Sequence, residues 1–397
     1  MRGYLRSDGR KGIRNVLLVA YLVECAHHVA REIVLPYRDR GVQLIGFPGC
    51  YPNAYASRVM QRLCTHPNVG GVLLLSLGCE GFDRSGLRQA VEASGRPVEV
   101  LVIQETGGTR VTITAGRAWI ERCLGALSTL MPVPMRTDEL VVGTICGGSD
   151  GTSGLTANPA MGRAFDLLVA HGAACIFEET GELVGCEHHM AERAVTPELG
   201  WEIKNAVAKA VRYYTTLGHG SFAVGNAEGG LTTIEEKSMG AYAKSGASRI
   251  SGLLKPGDLP PRGGLYVLDM IPDGEVRFGF PNINDNVEIA DLISCGAHVI
   301  LFSTGRGSVV GSALAPVIKV CANPDTYRRM AEDMDVDAGR VLEGRATLDD
   351  VGREIHDLVL AVADGRQTNS EALGHQEFIL GYKSFQPIGP ACLPTVP

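Results

Sequence analysis

From residue 15 onward, short apolar runs alternate with helix-like stretches, and this alternation limits the folds open to the chain more than any other feature. The first four runs are NVLLVAYL, VQLIGF, GVLLLSLG and VEVLVIQ. Helical periodicity follows each of them, at residues 25–34, 54–64, 85–93 and 115–130. Strands that are apolar throughout and are joined by helices form parallel sheets covered on both faces. The sequence therefore predicts a parallel, Rossmann-like α/β domain over residues 1–133.

A second α/β domain is expected over residues 134–397. The two domains are joined by MPVPMRTDE, whose prolines and mixed charges are typical of a linker. Five further apolar runs, ELVVGTI, AACIFEE, GLYVLDM, HVILFST and VIKVC, predict its parallel sheet. A helix is expected over 348–363, and a tail rich in proline and glycine ends the chain.

Composition excludes several classes of protein. The chain has 397 residues, 45% of them hydrophobic, and a net charge of -7, with no basic stripe of the kind that binds nucleic acid. Its apolar runs are too short to cross a membrane, and its N-terminus lacks the apolar core of a signal peptide. The 11 cysteines, an odd number, do not suggest a disulfide framework. We therefore expect a cytoplasmic protein that binds neither nucleic acid nor membranes.

The stretch CGGSDGTSG, residues 146–154, directly follows the strand-like run ELVVGTI. Ligands of parallel sheets collect at the carboxyl ends of strands, and a glycine-rich backbone before a helix can surround an anion. We expect the helix to start at Asn158 as its N-cap, with Pro159 in the first turn. The backbone amides of the loop are predicted to hold a carboxylate or similar anion, together with Ser149, Asp150, Thr152 and Ser153. The alternative is a tight loop capped by its own Asp150.

Three cysteines beside glycines also follow strand-like runs. Cys50, Cys79 and Cys146 would lie at the same edge of the predicted sheets and together could hold iron. No CxxC spacing supports a metal site, however, and free cysteines are commonly small core residues. Both interpretations stay open.

Acidic residues stand at strand ends as well. Glu179 and Glu187 lie in EETGELVGCEHH after AACIF, and Glu80 follows GVLLLSLGC. Carboxylates in such places can ligate a hard divalent ion or act as a general base. The alternative for the EETGELVGCEHH stretch is a solvated, acidic helix start.

The segment GNAEGGLTTIEEKSMG contributes further candidates. Asn226, Thr232 and Thr233 are predicted to bind substrate, and Lys237 to act in catalysis. The structural alternative is a helix that begins near the two threonines, with a capping-box glutamate at 235 or 236.

Two groups of basic residues complete the candidates. Arg306, between two glycines in STGRGS, is predicted to bind an anion through two parallel hydrogen bonds. A plain surface arginine is the alternative. Near the N-terminus a basic cluster could be a solvated arm or could dock a partner or substrate; its members are Arg6, Arg10, Lys11 and Arg14.

Several linked motifs resemble the altronate/galactarate dehydratase family along essentially the whole chain. They are GYLRSDGRKGIRN, HPNVGGVLLLSLGCE, CGGSDGTSGLTANPAMGRAFDLL, GGLTTIEEKSMG and ILFSTGRGSVVG. Within that family, AYAKSG, VRFGFPNINDN and the tail GHQEFILGYKSFQPIGPACLP are similar to the branch that acts on (R)-sulfolactate.

The resemblance implies an enzyme that catalyses β-elimination from a 2-hydroxy carboxylate. The favoured reaction is the conversion of (2R)-3-sulfolactate to pyruvate and sulfite. Dehydration of an altronate- or galactarate-type sugar acid to a 2-keto-3-deoxy acid is the alternative. A non-catalytic anion-binding protein is a more distant one.

The resemblance also implies a cofactor and a partner. Iron(II), or another divalent metal, is expected, and the three cysteines leave an iron–sulfur cluster as the alternative. Single-chain members of the family carry a small β-rich domain with histidines before the GYLRSDGRKGIRN-like segment. We therefore expect a hetero-oligomer with a separate small subunit of about 100 residues or fewer, the size of one compact domain. Its docking surface is expected to include the N-terminal basic segment.

Overall fold

The computed structural model describes residues 1–218, 224–274 and 284–381. Two parallel sheets flanked by helices lie in these ranges, which confirms the predicted α/β class. Part of VRFGFPNINDN and most of the C-terminal tail motif lie outside the described residues.

The first half of the chain contains a parallel sheet with the strand order β4-β3-β5-β6 and a small antiparallel sheet with the order β2-β1-β7. The strands are β1 (Arg2–Leu5), β2 (Lys11–Gly12), β3 (Val16–Tyr21), β4 (Val42–Gly46), β5 (Val69–Ser76), β6 (Val98–Val102) and β7 (Val133–Pro134). The helices are α1 (His27–Val34), α2 (Ala54–Cys64), α3 (Arg84–Ala93), α4 (Ile103–Thr106) and α5 (Thr109–Leu127).

The second half contains a larger parallel sheet with the strand order β10-β11-β9-β8-β12-β13-β14. Its strands are β8 (Val141–Cys146), β9 (Ala174–Glu178), β10 (Ile250–Leu254), β11 (Gly264–Leu268), β12 (Val299–Thr304), β13 (Val317–Cys321) and β14 (Val336–Asp337). The α-helices are α6 (Ala157–Ala170), α7 (Glu187–Glu192), α8 (Pro197–Leu217), α9 (Val224–Glu228), α10 (Ile234–Lys244), α11 (Asp285–Ser294), α12 (Pro324–Arg329), α13 (Leu348–Ala363) and α14 (Asn369–Leu373).

Apolar packing explains why the long runs form the central strands. All eight residues of β5 are buried, as are all six of β12. One hydrophobic cluster contains Leu18 and Val72 of the first sheet as well as Ile145 and Ile300 of the second. The two sheets therefore share part of their core.

Most predicted helices are found within a few residues of their expected bounds, and one predicted cap is wrong. The helix after the 146–154 loop begins at Ala157 with Thr156 as its N-cap, so Asn158 lies inside the first turn. The Asn158 side chain instead donates a hydrogen bond to the carbonyl of Gly240, 3.1 Å away. Pro159 is in the first turn, as predicted. The Asn158 side chain thus connects α6 to α10 and does not cap α6.

The basic segment at the N-terminus is engaged within the chain. Arg6 is buried and donates to the carbonyl of Pro67 at 2.7 Å. Arg14 pairs with Glu371 at 2.7 Å, and Lys11 pairs with Glu139 at 2.7 Å. The segment thus joins the two halves of the molecule. Among the described residues, no helix is both long and apolar enough to cross a membrane.

His298 makes a second connection between the two halves, and we expect it to make stability depend on pH. The buried ring accepts a hydrogen bond from the Val141 amide at 3.0 Å and donates one to the Lys11 carbonyl at 2.9 Å. Burial, helped by the positive charge of Arg10, lowers the pKa of His298 to about 4. The unfolded state, with a histidine pKa of about 6.5, binds the proton first as pH falls. Stability from this group is therefore present above about pH 6.5 and is lost towards pH 4, by about 3 kcal/mol.

Urea unfolding at pH 7 and pH 4.5 would measure this loss in the wild type and in His298→Gln. Glutamine keeps a donor and an acceptor but does not titrate, so the variant should lose less stability over this range. An equal loss in both proteins would contradict the assignment.

Candidate active site

The candidate site lies at the carboxyl ends of β8 and β12. The chain passes from β8 to β9 on one side, whereas β12 later pairs with β8 on the other side. Loops that leave neighbouring strands in opposite directions open a crevice, which is the usual ligand site of open parallel sheets. The 146–156 loop and the STGRGS segment both start at this crevice.

At its floor is a buried group of one thiol and two carboxylates: Cys146 ends β8, Glu179 follows β9, and Glu182 lies in the short 3₁₀ turn Thr180–Glu182. The Cys146 sulfur is 3.5 Å from Glu179 Oε2 and 3.4 Å from Glu182 Oε2. One ligand atom from each residue lies within 4.8 Å of the others, so the group could hold a metal ion.

Two lysines of α10 reach into this group. Lys237 and Lys244 are seven residues apart, close to two helical turns, and therefore project from the same face. Lys237 Nζ lies 3.0 Å from Cys146 Sγ, 3.0 Å from Glu182 Oε2 and 2.9 Å from Ser149 Oγ. Lys244 is fully buried and pairs with Glu179. The two ammonium groups offset the charge of the two carboxylates.

Close helix packing brings these lysines inward. A Cβ atom at Gly162 of α6 would lie 2.3 Å from the Ala243 carbonyl oxygen of α10. Only glycine permits this approach, and it places Lys244 against the sheet.

The electrostatic environment gives each group a different protonation state. Burial raises the pKa of Cys146 to about 12, and the two glutamates add to the shift. Burial and the charge of Glu182 likewise raise the pKa of Glu179 well above its usual range. Burial would also raise the pKa of Glu182, but the positive charge of Lys237 outweighs burial and lowers that pKa to about 2. At neutral pH the site therefore holds a thiol at Cys146 and a carboxylate at Glu182.

Lys237 stays protonated in this environment. Burial opposes its charge, but Cys146, Glu182 and Glu179 outweigh burial and raise its pKa well above the ordinary value. Because Cys146 keeps its proton at neutral pH, Glu182 supplies most of that effect there. Lys237 is thus a hydrogen-bond donor rather than a free base.

The donor set suits a borderline divalent ion. Thiolate and carboxylate together fit iron(II) better than they fit magnesium or calcium, and three protein donors leave positions open for a substrate. Binding would release the Cys146 proton, because only the thiolate ligates. The cation would also compete with Lys237 for Cys146 and Glu182.

The predicted anion loop is held together by Asp150. Its Oδ1 accepts from the Thr152 amide at 2.9 Å and from the Thr152 hydroxyl at 2.6 Å, and its Oδ2 accepts from Asn323 at 2.9 Å. The Ser153 hydroxyl also lies near Asp150. Ser149 instead faces the buried group through Lys237. The geometry therefore favours a loop capped by its own aspartate, with Ser149 as its contact to the site.

The candidates in the segment 224–237 lie partly at the rim of the site. Asn226 is buried on α9, whereas Thr232 and Thr233 are exposed. Thr233 is the N-cap of α10, and Glu236 reaches back to the Thr232 amide at 3.0 Å. The capping arrangement anticipated from the sequence is thus present. Next to this segment, exposed Arg306 donates to the Gly225 carbonyl and lies 3.4 Å from Glu228.

Four predicted site residues lie apart from the buried group. Glu80 accepts from the Gly78 amide at 2.8 Å in the first half of the chain, and Glu187 accepts from the Gly185 amide at 2.7 Å at the start of α7. Cys50 and Cys79 are exposed free thiols. Within the described ranges, neither cysteine belongs to the metal-competent group of Cys146.

Three residues of the site were not singled out from the sequence. The seven-residue spacing of Lys237 and Lys244 is a visible helical signal. Glu182 could have been paired with Glu179 by the three-residue spacing of a helical turn. Asp285, at the start of α11, had no local signal that would relate it to Cys146.

The fold and the site together define an α/β protein with a candidate metal site. Its buried Cys–Glu–Glu group lies where the chain connections leave neighbouring strands in opposite directions. The second-domain model of D-galactarate dehydratase/altronate hydrolase matches residues 3–128, and the C-terminal model of D-galactarate/altronate dehydratase matches residues 137–385. The chain belongs to the D-galactarate/altronate dehydratase family, and its relatives are lyases or dehydratases.

Three relatives show the range of that family. The chain is 35% identical to the (2R)-sulfolactate sulfo-lyase subunit beta of Chromohalobacter salexigens, over 95% of this chain and 96% of the relative. It is 32% identical to the galactarate dehydratase (L-threo-forming) of Escherichia coli, over 92% and 73%. It is 28% identical to the altronate dehydratase of Bacillus subtilis, over 96% and 77%.

Proposed function

We propose that this chain is the large subunit of a lyase that converts (2R)-3-sulfolactate to pyruvate and sulfite. The observation that carries the proposal is the 35% identity to a sulfolactate sulfo-lyase subunit over 96% of that subunit's length. The buried, charged crevice supports it, because the substrate would carry two negative charges next to the reacting carbons.

The reaction balances without a redox partner. A base removes the proton from C2, and its electron pair forms the C2–C3 double bond. The C3–S bond breaks, and sulfite leaves with the bonding pair. The resulting enol of pyruvate then takes a proton at C3 and becomes pyruvate.

The chain's own residues are assigned to binding and orientation. Lys237 and Ser149 present donors at the floor of the crevice, and Lys237 keeps its charge because of Glu182. Arg306 places a guanidinium at the rim. Asp150 fixes the loop that carries Ser149. Iron(II), held by Cys146, Glu179 and Glu182, would supply positive charge against the carboxylate charge that builds up as C2 loses its proton.

A sugar-acid dehydratase is the second candidate. It is favoured by the identity of 27–32% to galactarate and altronate dehydratases and by the two family models that match this chain. The assembled, iron-supplied enzyme should release equal amounts of sulfite and pyruvate from (R)-sulfolactate. Formation of a 2-keto-3-deoxy acid from altronate or galactarate, without sulfite release, would favour the dehydratase. Anion binding without turnover of any of the three would favour a binding protein.

We further propose that activity requires a separate small subunit. Support comes from the sulfo-lyase relative, which is itself named as one subunit. The chain purified alone and loaded with iron(II) without oxygen should show little activity, and adding the small subunit should restore it. Full activity of the single chain would contradict the requirement.

A further inference from the structure

Asp285 is a carboxylate of the crevice that, unlike Glu179 and Glu182, is not paired with a lysine among the described residues. Glu179 forms an ion pair with Lys244, and Glu182 forms one with Lys237. Within the part of the chain that the structure describes, the Asp285 carboxylate accepts a hydrogen bond from its own backbone amide and forms no ion pair. A largely buried carboxylate without a paired cation is costly in folding free energy, so it calls for a functional explanation.

Its position places it beside the loop that carries Cys146. Asp285 is the first residue of α11, and a Cβ atom at Gly147 would lie 2.2 Å from its Oδ2 and 2.4 Å from the Phe302 ring. The carboxylate therefore rests on the backbone of the residue that follows Cys146. Because only a glycine leaves this space, the loop sequence and the aspartate fit each other.

We propose that Asp285 is the catalytic base that removes the C2 proton of the substrate. This assignment rests on the proposed elimination and deepens it. The proton passes from C2 to a carboxylate oxygen of Asp285, the C2–H electron pair forms the double bond, and the leaving group departs with its own bonding pair. Asp285 then returns the proton to solvent or to C3 of the enol.

The charges around Asp285 suit an acceptor. Burial and the nearby Glu182 raise its pKa to about 6, while Lys237 and Lys244 oppose the shift. The group is then mostly ionised at neutral pH, yet is more basic than an ordinary aspartate. A base with a pKa near the working pH transfers protons efficiently.

The experiment uses the assembled enzyme, with any subunit that co-purifies, and tests (R)-sulfolactate, altronate and galactarate. Asp285→Asn should lower kcat roughly 10²- to 10⁴-fold on the active substrate, the usual contribution of a general base. Its KM and its metal content should stay within about threefold, since general-base catalysis acts on the chemical step. Formate, a small carboxylate, should restore part of the activity of Asp285→Ala. Glu235→Gln, an exposed change on α10, is the matched control and should be unaffected.

The outcomes separate the two hypotheses. A kcat of Asp285→Asn within threefold of the wild type overturns the base assignment and leaves the elimination intact. Loss of bound metal, or no rescue by formate, also overturns it, because Asp285 would then be structural. A wild-type enzyme that turns over none of the three substrates overturns the proposed function and the base together.

Discussion

Cys146→Ser should lose most of its bound metal and lower kcat by roughly 10³-fold, equivalent to about 4 kcal/mol of transition-state stabilisation. Cys146 is the sulfur donor in the buried group with Glu179 and Glu182. Serine is nearly isosteric, but its hydroxyl does not ionise as a ligand at neutral pH. Metal analysis of protein purified without oxygen, together with steady-state kinetics, measures both effects.

Cys321→Ser is the matched control. Cys321 is also a buried cysteine, and it also ends a strand of the same parallel sheet. The control should keep its metal. Cys50→Ser and Cys79→Ser should keep it too, since both thiols are exposed and lie outside the buried group. Loss of iron in either of these two variants would support the cluster alternative and contradict a mononuclear site.

Lys244→Met should lower the free energy of unfolding of the metal-free protein by about 3–5 kcal/mol, the usual effect of removing one partner of a buried ion pair. The side chain of Lys244 is fully buried against Glu179, so the change removes the cation that opposes the rise in the pKa of that carboxyl. Urea unfolding monitored by circular dichroism measures the loss.

A second substitution distinguishes charge from packing. Lys244→Met combined with Glu179→Gln removes both charges and should recover most of the stability. Arg88→Ala breaks an exposed pair with Glu92 and should cost less than about 1 kcal/mol. If the double variant is as unstable as Lys244→Met, the lost stability comes from packing, and the ion pair between Lys244 and Glu179 contributes little to the free energy of unfolding.

Helix α10 takes part in both the metal-binding prediction and the stability prediction. The same helix face carries Lys237, which faces Cys146 and Glu182, and Lys244, which faces Glu179. A bound cation would change the balance of charge that this face now provides.

Particular elements show how far the sequence could be interpreted. The strands with continuous apolar runs were found within a few residues, because burial on both faces leaves a local signal. The helix α13 was placed at its observed bounds, Leu348–Ala363, since its amphipathic pattern is complete. The strand β10, Ile250–Leu254, was missed because its ISGLL sequence is short and contains a glycine. The paired strands β1 and β7 were missed because each is brief and their partners are about 130 residues apart.

The sequence by itself determined the α/β class, the strand ends that carry polar residues, and the family, because these depend on local periodicity and on linked motifs. It also placed Cys146, Glu179, Ser149 and Lys237 among the candidates. Only the tertiary structure decided which of the candidates meet. Strand order sets which carboxyl ends are neighbours, and β8 lies between β9 and β12, so Cys146 faces Glu179 and Glu182. Cys50 and Cys79, on loops that follow strands of the other sheet, stay apart from it. Contacts such as Asp285 over Gly147 join residues more than 130 positions apart, and local pattern carries no information about such distances.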